Sequence, residues 1–116
     1  MILVVKKEEM EERKINDDHT VFDMLKKNLS KNISLSIVKS KGHVEITRNM
    51  RSDRIYYVLE GQLRVIVGPE SYIVGAGDLI FISKKTPYHF AGTFKAVLIN
   101  VPAFDPRTEI TIRRLK

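Results

Sequence analysis

From Ser34 onward, short apolar or alternating runs follow one another along the chain, at positions 34–38, 43–48, 54–59, 63–67, 71–74, 79–82, 88–91, 96–101 and 109–112. Alternation with a period of two is the signature of strands with one buried face, because successive side chains point to opposite sides. Turn-forming residues separate the runs: Lys41-Gly42, Glu60-Gly61, Gly68-Pro69, Gly75-Ala76-Gly77, Thr86-Pro87 and Gly92-Thr93. Many short strands at intervals of roughly 8–12 residues predict an antiparallel sandwich or barrel, and no helical stretch of 10–15 residues intervenes to build a parallel sheet. The chain reads as all-β.

The first 32 residues are patterned differently and read as an N-terminal strand and extension (1–32) ahead of the barrel (33–116), the whole forming one structural domain. Positions 2–5 are continuously apolar and predict a short strand, 8–14 suit a helical turn or two, and 20–25 fit strand or helix equally. At 116 residues the chain has room for one core and not for two. The longest apolar runs fall far short of the ~20 residues that span a bilayer, which argues against a membrane protein. The apolar start is followed at once by Lys6-Lys7-Glu8-Glu9, the reverse of a secretory leader, and this predicts a cytoplasmic protein.

Charge and rare residues narrow the chemistry. The formal net charge is +6, but residues 1–27 carry six Lys/Arg against seven Asp/Glu, so the excess lies beyond them. The basic residues are scattered singly or in pairs, and no nucleic-acid-binding motif accompanies them, which argues against nucleic acid as a partner. With no cysteine there is no disulfide, thiolate nucleophile or Cys-type zinc site. The lack of Cys and Trp, with abundant Lys, Arg, Glu and Ile, fits a thermophilic source.

Two segments carry a family resemblance. Tyr56-Tyr57-Val58-Leu59-Glu60-Gly61-Gln62-Leu63-Arg64-Val65 resembles the first motif of the cupin superfamily, with the glycine expected in a tight turn between two strands. Gly75-Ala76-Gly77-Asp78-Leu79-Ile80-Phe81-Ile82 and Thr86-Pro87 resemble the second, and Val101-Pro102-Ala103-Phe104-Asp105-Pro106 is similar to the segment that closes small single-domain cupins. The resemblance covers roughly residues 33–106 and implies a double-stranded β-helix, or jelly-roll, barrel. It also implies a homodimer, with the 2–5 strand added to the partner's sheet to cover an edge.

In that family a His-x-His pair, a glutamate and a later histidine hold a metal. Carried onto this chain, the histidine pair falls on Arg48 and Met50, with Thr47 and Asn49 as the offset choice, the glutamate on Arg54 and the late histidine on Tyr88. Strand alternation sets His43 opposite Arg48 and His89 opposite Tyr88, while His19 precedes the β-rich region. The expectation is therefore no metal and no cofactor. A β-bulge that turned His89 inward would restore a metal-dependent alternative.

Arg48 and Arg54 facing one another would repel by ~1–4 kcal/mol, and no inward acid is evident among Asp53, Glu60 and Asp78. A small anion, either a carboxylate or a sugar phosphate, would relieve that repulsion, with Tyr56 and Tyr88 as hydroxyl donors and Met50 as wall. Alternatively the arginines snorkel to the mouth and remain solvated, and Met50, Tyr56, Val58 and Phe81 serve only as core or wall. A third reading is an isomerase, epimerase or lyase using His89 and Tyr88 as its proton-handling pair.

Overall fold

The computed structural model describes residues 1–42 and 45–114. Among the described residues ten strands carry the architecture: β1 (Glu11–Asn16), β2 (His19–Leu25), β3 (Ser34–Ser40), β4 (Glu45–Asn49), β5 (Asp53–Val67), β6 (Glu70–Gly75), β7 (Leu79–Ile82), β8 (His89–Ala91), β9 (Phe94–Val101) and β10 (Glu109–Arg114). All pairings are antiparallel. The main sheet runs β1-β2-β3-β9-β5-β6, with β7 and β8 also on β5, and β4 pairs with β10 in a second, two-stranded sheet. Thr47 and Tyr88 exchange backbone hydrogen bonds of 2.9 and 2.8 Å, tying β4 to the start of β8. The curled sheets form an all-β jelly-roll barrel. Among the described residues no helix is long and apolar enough to cross a membrane.

The centre of the fold is β5, which the sequence divides in two at Glu60-Gly61. It is one bent strand of 15 residues. Its first half pairs with β9 and β7 and its second half with β6 and β8, so one chain segment serves both walls. The changeover is a β-bulge at Leu59, where the register against β9 shifts between Val58 and Glu60. Gly61 follows with φ +79°, and a Cβ there would stand 2.1 Å from the carbonyl oxygen of Thr93. Glycine is required in the bulge, not in a hairpin turn. The bulge also flips strand phase: Arg54, Tyr56 and Val58 face inward before it, Leu63 and Val65 after it. Both halves thereby deliver side chains to one interior, where Val38, Val58, Leu63, Val65 and Ala96 are fully buried.

The N-terminal region differs from the sequence expectation. No strand forms at 2–5, where Met1, Ile2 and Val4 are exposed, and a single 3-10 turn occupies Lys7–Glu9. Residues 11–16 form β1 rather than a helix, and β2 resolves the ambiguity at 20–25 in favour of strand. The cause is tertiary: β2 is paired along its length with β3, and β1 gains a ladder only by pairing with β2.

Candidate functional site

Arg54 lies at the bottom of the site, 5% exposed on the inward face of β5. Its Nε donates to Oδ1 of Asn100 on β9 at 2.8 Å, and its Nη1 to the hydroxyl of Tyr88 at 2.8 Å. The guanidinium also meets Glu109 of β10 through two bonds, Nη1 to Oε2 at 3.0 Å and Nη2 to Oε1 at 2.6 Å. The same carboxylate accepts from Thr47 Oγ1 at 3.0 Å and Asn49 Nδ2 at 2.9 Å. Tyr56 and Tyr88, both buried, face each other hydroxyl to hydroxyl at 2.8 Å. A continuous hydrogen-bonded chain thus runs Tyr56–Tyr88–Arg54–Glu109.

These groups line a cavity of about 160 Å³ together with Arg13, Ile15, His19, Ser36, Phe90 and Phe104. Burial disfavours the Arg54 charge, but the phenol oxygens of Tyr88 and Tyr56, as dipoles, and above all the Glu109 carboxylate outweigh it and hold the guanidinium charged. Burial pushes the Tyr56 phenol well above its usual range, and Tyr88 adds to that, while Arg54 pulls the other way. Tyr56 therefore keeps its proton at neutral pH.

The structure places the sequence-predicted residues unevenly. Arg54, Tyr56 and Tyr88 converge on the cavity. Arg48 and Met50 do not. Thr47 lies directly opposite inward-facing Tyr88, and cross-strand partners share a face, so Thr47 and Asn49 point in and Arg48 and Met50 point to the other side of β4. The same rule applied to the Asn49↔Glu109 and Thr47↔Thr111 pairs turns Glu109 and Thr111 inward. The two-arginine repulsion is thereby removed: Arg48 is elsewhere, and Glu109 neutralises Arg54. His89 sits between buried Tyr88 and Phe90 on the opposite face of its strand, outside the cavity lining, so the Tyr88–His89 pair does not form. Phe81, expected in the core or wall, is 57% exposed on the outer face. His43 lies outside the described residues.

Sequence reasoning missed Glu109, Asn100 and Thr111. Glu109 and Thr111 alternate with Ile110 in a short run, a pattern that offers an inward acid once the phase of β4 is known.

The residues do not fit the metal that cupins commonly hold. The carboxylate at the site already accepts four hydrogen bonds, two of them from a fixed positive charge. A dication would compete with a guanidinium for the same oxygens. Among the described residues no group of three or more His, Cys, Asp or Glu is placed to share an ion.

Fold and site together define a cupin barrel with a polar, hydroxyl-rich interior. The family model for the cupin domain matches residues 37–102, more than half of the chain, and the chain belongs to that family. Among solved structures, Streptomyces PAC13 with uridine is 26% identical at a TM-score of 0.89, with 100% of this chain and 94% of that one covered. Pac13 is described as a nucleoside dehydratase. Its solved forms with uridine include two tyrosine-to-phenylalanine variants and one histidine-to-glutamine variant. KdgF from Halomonas sp. is 16% identical (TM-score 0.76; 92% of this chain, 99% of that one), and ectoine synthase from P. lautus 14% (TM-score 0.77; 99% and 93%). These last two share the fold alone. Comparison with curated proteins finds no match.

Proposed function

We propose that the cavity binds a neutral, hydroxylated small molecule of the nucleoside class, and that the chain is a lyase removing water from it without a metal. The observation that carries this reading is the buried Tyr56–Tyr88–Arg54–Glu109 chain, in which the cation and carboxylate cancel and two phenols face the cavity. Such a site offers hydroxyl donors and acceptors with no net demand for an anion. The likeness to a nucleoside dehydratase along the whole chain supports it.

Loss of water breaks a C–H and a C–O bond and forms a C=C bond. A base takes the carbon-bound proton, and an acid delivers a proton to the departing hydroxyl. A hydroxyl β to a carbonyl is the substrate class for which this proceeds without a Lewis acid, since the carbanion is then an enolate. Tyr88 is placed to protonate the leaving oxygen, with Arg54 beside it to stabilise the resulting negative charge. His19 supplies an imidazole on the cavity wall, a side chain able to accept the carbon-bound proton.

The test is incubation with a panel of β-hydroxy carbonyl derivatives of uridine, following loss of water by mass spectrometry. Wild type turns over at least one member, and Tyr88→Phe and His19→Gln slow it by about 10²-fold or more. No water loss with any member, together with no saturable nucleoside binding, would discard the reading. The anionic metabolite suggested by the sequence remains the second reading, supported by the net charge of +6. Thermal stabilisation by carboxylates or phosphates, but not by nucleosides, favours it.

The same proposal includes a homodimer. The outer face of the β7-β5-β9 sheet carries exposed Tyr57, Leu59, Leu79, Phe81 and Val101. Each is 40–59% exposed, so together they supply part of the ~800 Å² per partner of a standard interface. Ile55, Val97 and Ile99 extend the face on the same side of the sheet. A second copy related by a two-fold axis would set the two apolar faces against each other.

A further inference from the structure

The cavity is chemically divided along its depth. Buried Arg54, Tyr56 and Tyr88 occupy the floor, whereas the lining residues open to solvent are Ile15 and Arg13, each about two-fifths exposed, with Phe104, Glu109 and Thr111. A hydroxyl-binding floor below a mixed rim, in which Ile15 and Phe104 give apolar surface and Arg13 a guanidinium, matches a ribose joined to a planar base.

Arg13 is held in a defined orientation. Its Nε and Nη2 donate to Asp23 Oδ2 and Oδ1 at 2.9 and 3.1 Å, and Asp23 Oδ1 also accepts from Ser36 Oγ at 2.7 Å. Arg13 Cζ lies 5.0 Å from the centroid of Phe104, whose ring also lies 5.7 Å from Arg54 Cζ. Phe104 thus spans floor and rim. Nη1 of Arg13 makes no hydrogen bond among the described residues, so one donor of a clamped guanidinium remains for a ligand. Because Asp23 already balances the charge, the position favours a neutral acceptor such as a base carbonyl over a phosphate.

We propose that Arg13, clamped by Asp23 and packed on Phe104, is the specificity-determining residue of a base-recognition subsite at the cavity mouth, where Nη1 donates to a pyrimidine carbonyl. This inference rests on the nucleoside reading above and assigns the orientation, sugar inward and base outward. Arg13 lies on edge strand β1, where replacement leaves the core intact.

Isothermal titration of uridine and of methyl riboside, which lacks the base, into wild type, Arg13→Met and Arg13→Lys tests it. Wild type is expected to prefer uridine by tenfold or more. Both variants should lose most of that preference while retaining riboside affinity, with thermal unfolding confirming that they are folded. Equal wild-type affinities for the two ligands, or a full preference kept by both variants, would overturn the subsite while leaving the nucleoside-class reading standing. Absence of binding by either ligand to wild type overturns that reading as well.

Discussion

Glu109 is 55 residues from Arg54 in sequence, yet it supplies both oxygens that hold the buried guanidinium. Glu109→Gln removes the charge and turns an NH2 group toward a ring of donors formed by Arg54, Thr47 and Asn49. Breaking one side of a buried ion pair costs about 3–5 kcal/mol because the other charge stays uncompensated. Glu109 is 24% exposed, so water can partly rehydrate the site. About 2–3 kcal/mol is the resulting expectation. For a chain of this length that lowers the thermal midpoint by roughly 8–12 °C. Differential scanning calorimetry of wild type, E109Q, Arg54→Met and the Arg54→Met/Glu109→Leu pair measures it. The double variant should recover more than half of the loss, since no lone charge remains. The reasoning is refuted if E109Q lies within about 0.5 kcal/mol of wild type or if the double variant is merely additive.

Other consequences follow from single observations. Gly61→Ala places a Cβ against the Thr93 carbonyl at 2.1 Å and should cost ~3 kcal/mol or more by urea unfolding, whereas Gly68→Ala, with open space around it, should cost much less. The Asp23 carboxyl pays a desolvation cost on burial, but hydrogen bonds from Arg13 and Ser36 exceed it and hold its pKa below the usual value; Arg107 and Lys27 do the same for Asp105. Depressed carboxyl groups contribute stability that is complete above about pH 4 and lost as pH falls through the lower folded values, so Asp23→Asn should flatten the acid limb of a stability–pH curve. In the proposed dimer, a charge at the centre of the apolar outer face, Phe81→Glu, should shift sedimentation toward monomer with the barrel still folded; a monomeric wild type, or a variant of unchanged mass, counts against this face as the interface.

Much of the barrel was legible because half-buried antiparallel strands carry their burial in a period of two. Every strand from β3 to β9 corresponds to a run visible in the sequence. What failed depended on partners. Strand β1 is a charged edge, Glu11-Glu12-Arg13-Lys14, with little apolar alternation to reveal it. Glu60-Gly61 has turn composition, and only the carbonyl of Thr93 across the sheet shows it to be a bulge. The site turned on one residue of phase: Arg54, Tyr56 and Tyr88 were found, but Thr47 and not Arg48 faces Tyr88, and no local signal fixes that register. Glu109 was invisible as a partner because its meeting with Arg54 is made by topology alone.

Titration of uridine into wild type and Tyr88→Phe protein addresses the buried phenol–guanidinium–carboxylate chain most directly. Saturable binding by wild type, weakened about 5- to 30-fold when the hydroxyl shared by Tyr56 and Arg54 is removed, is the expected result. No wild-type binding at millimolar uridine, or identical affinity in the two proteins, would contradict it.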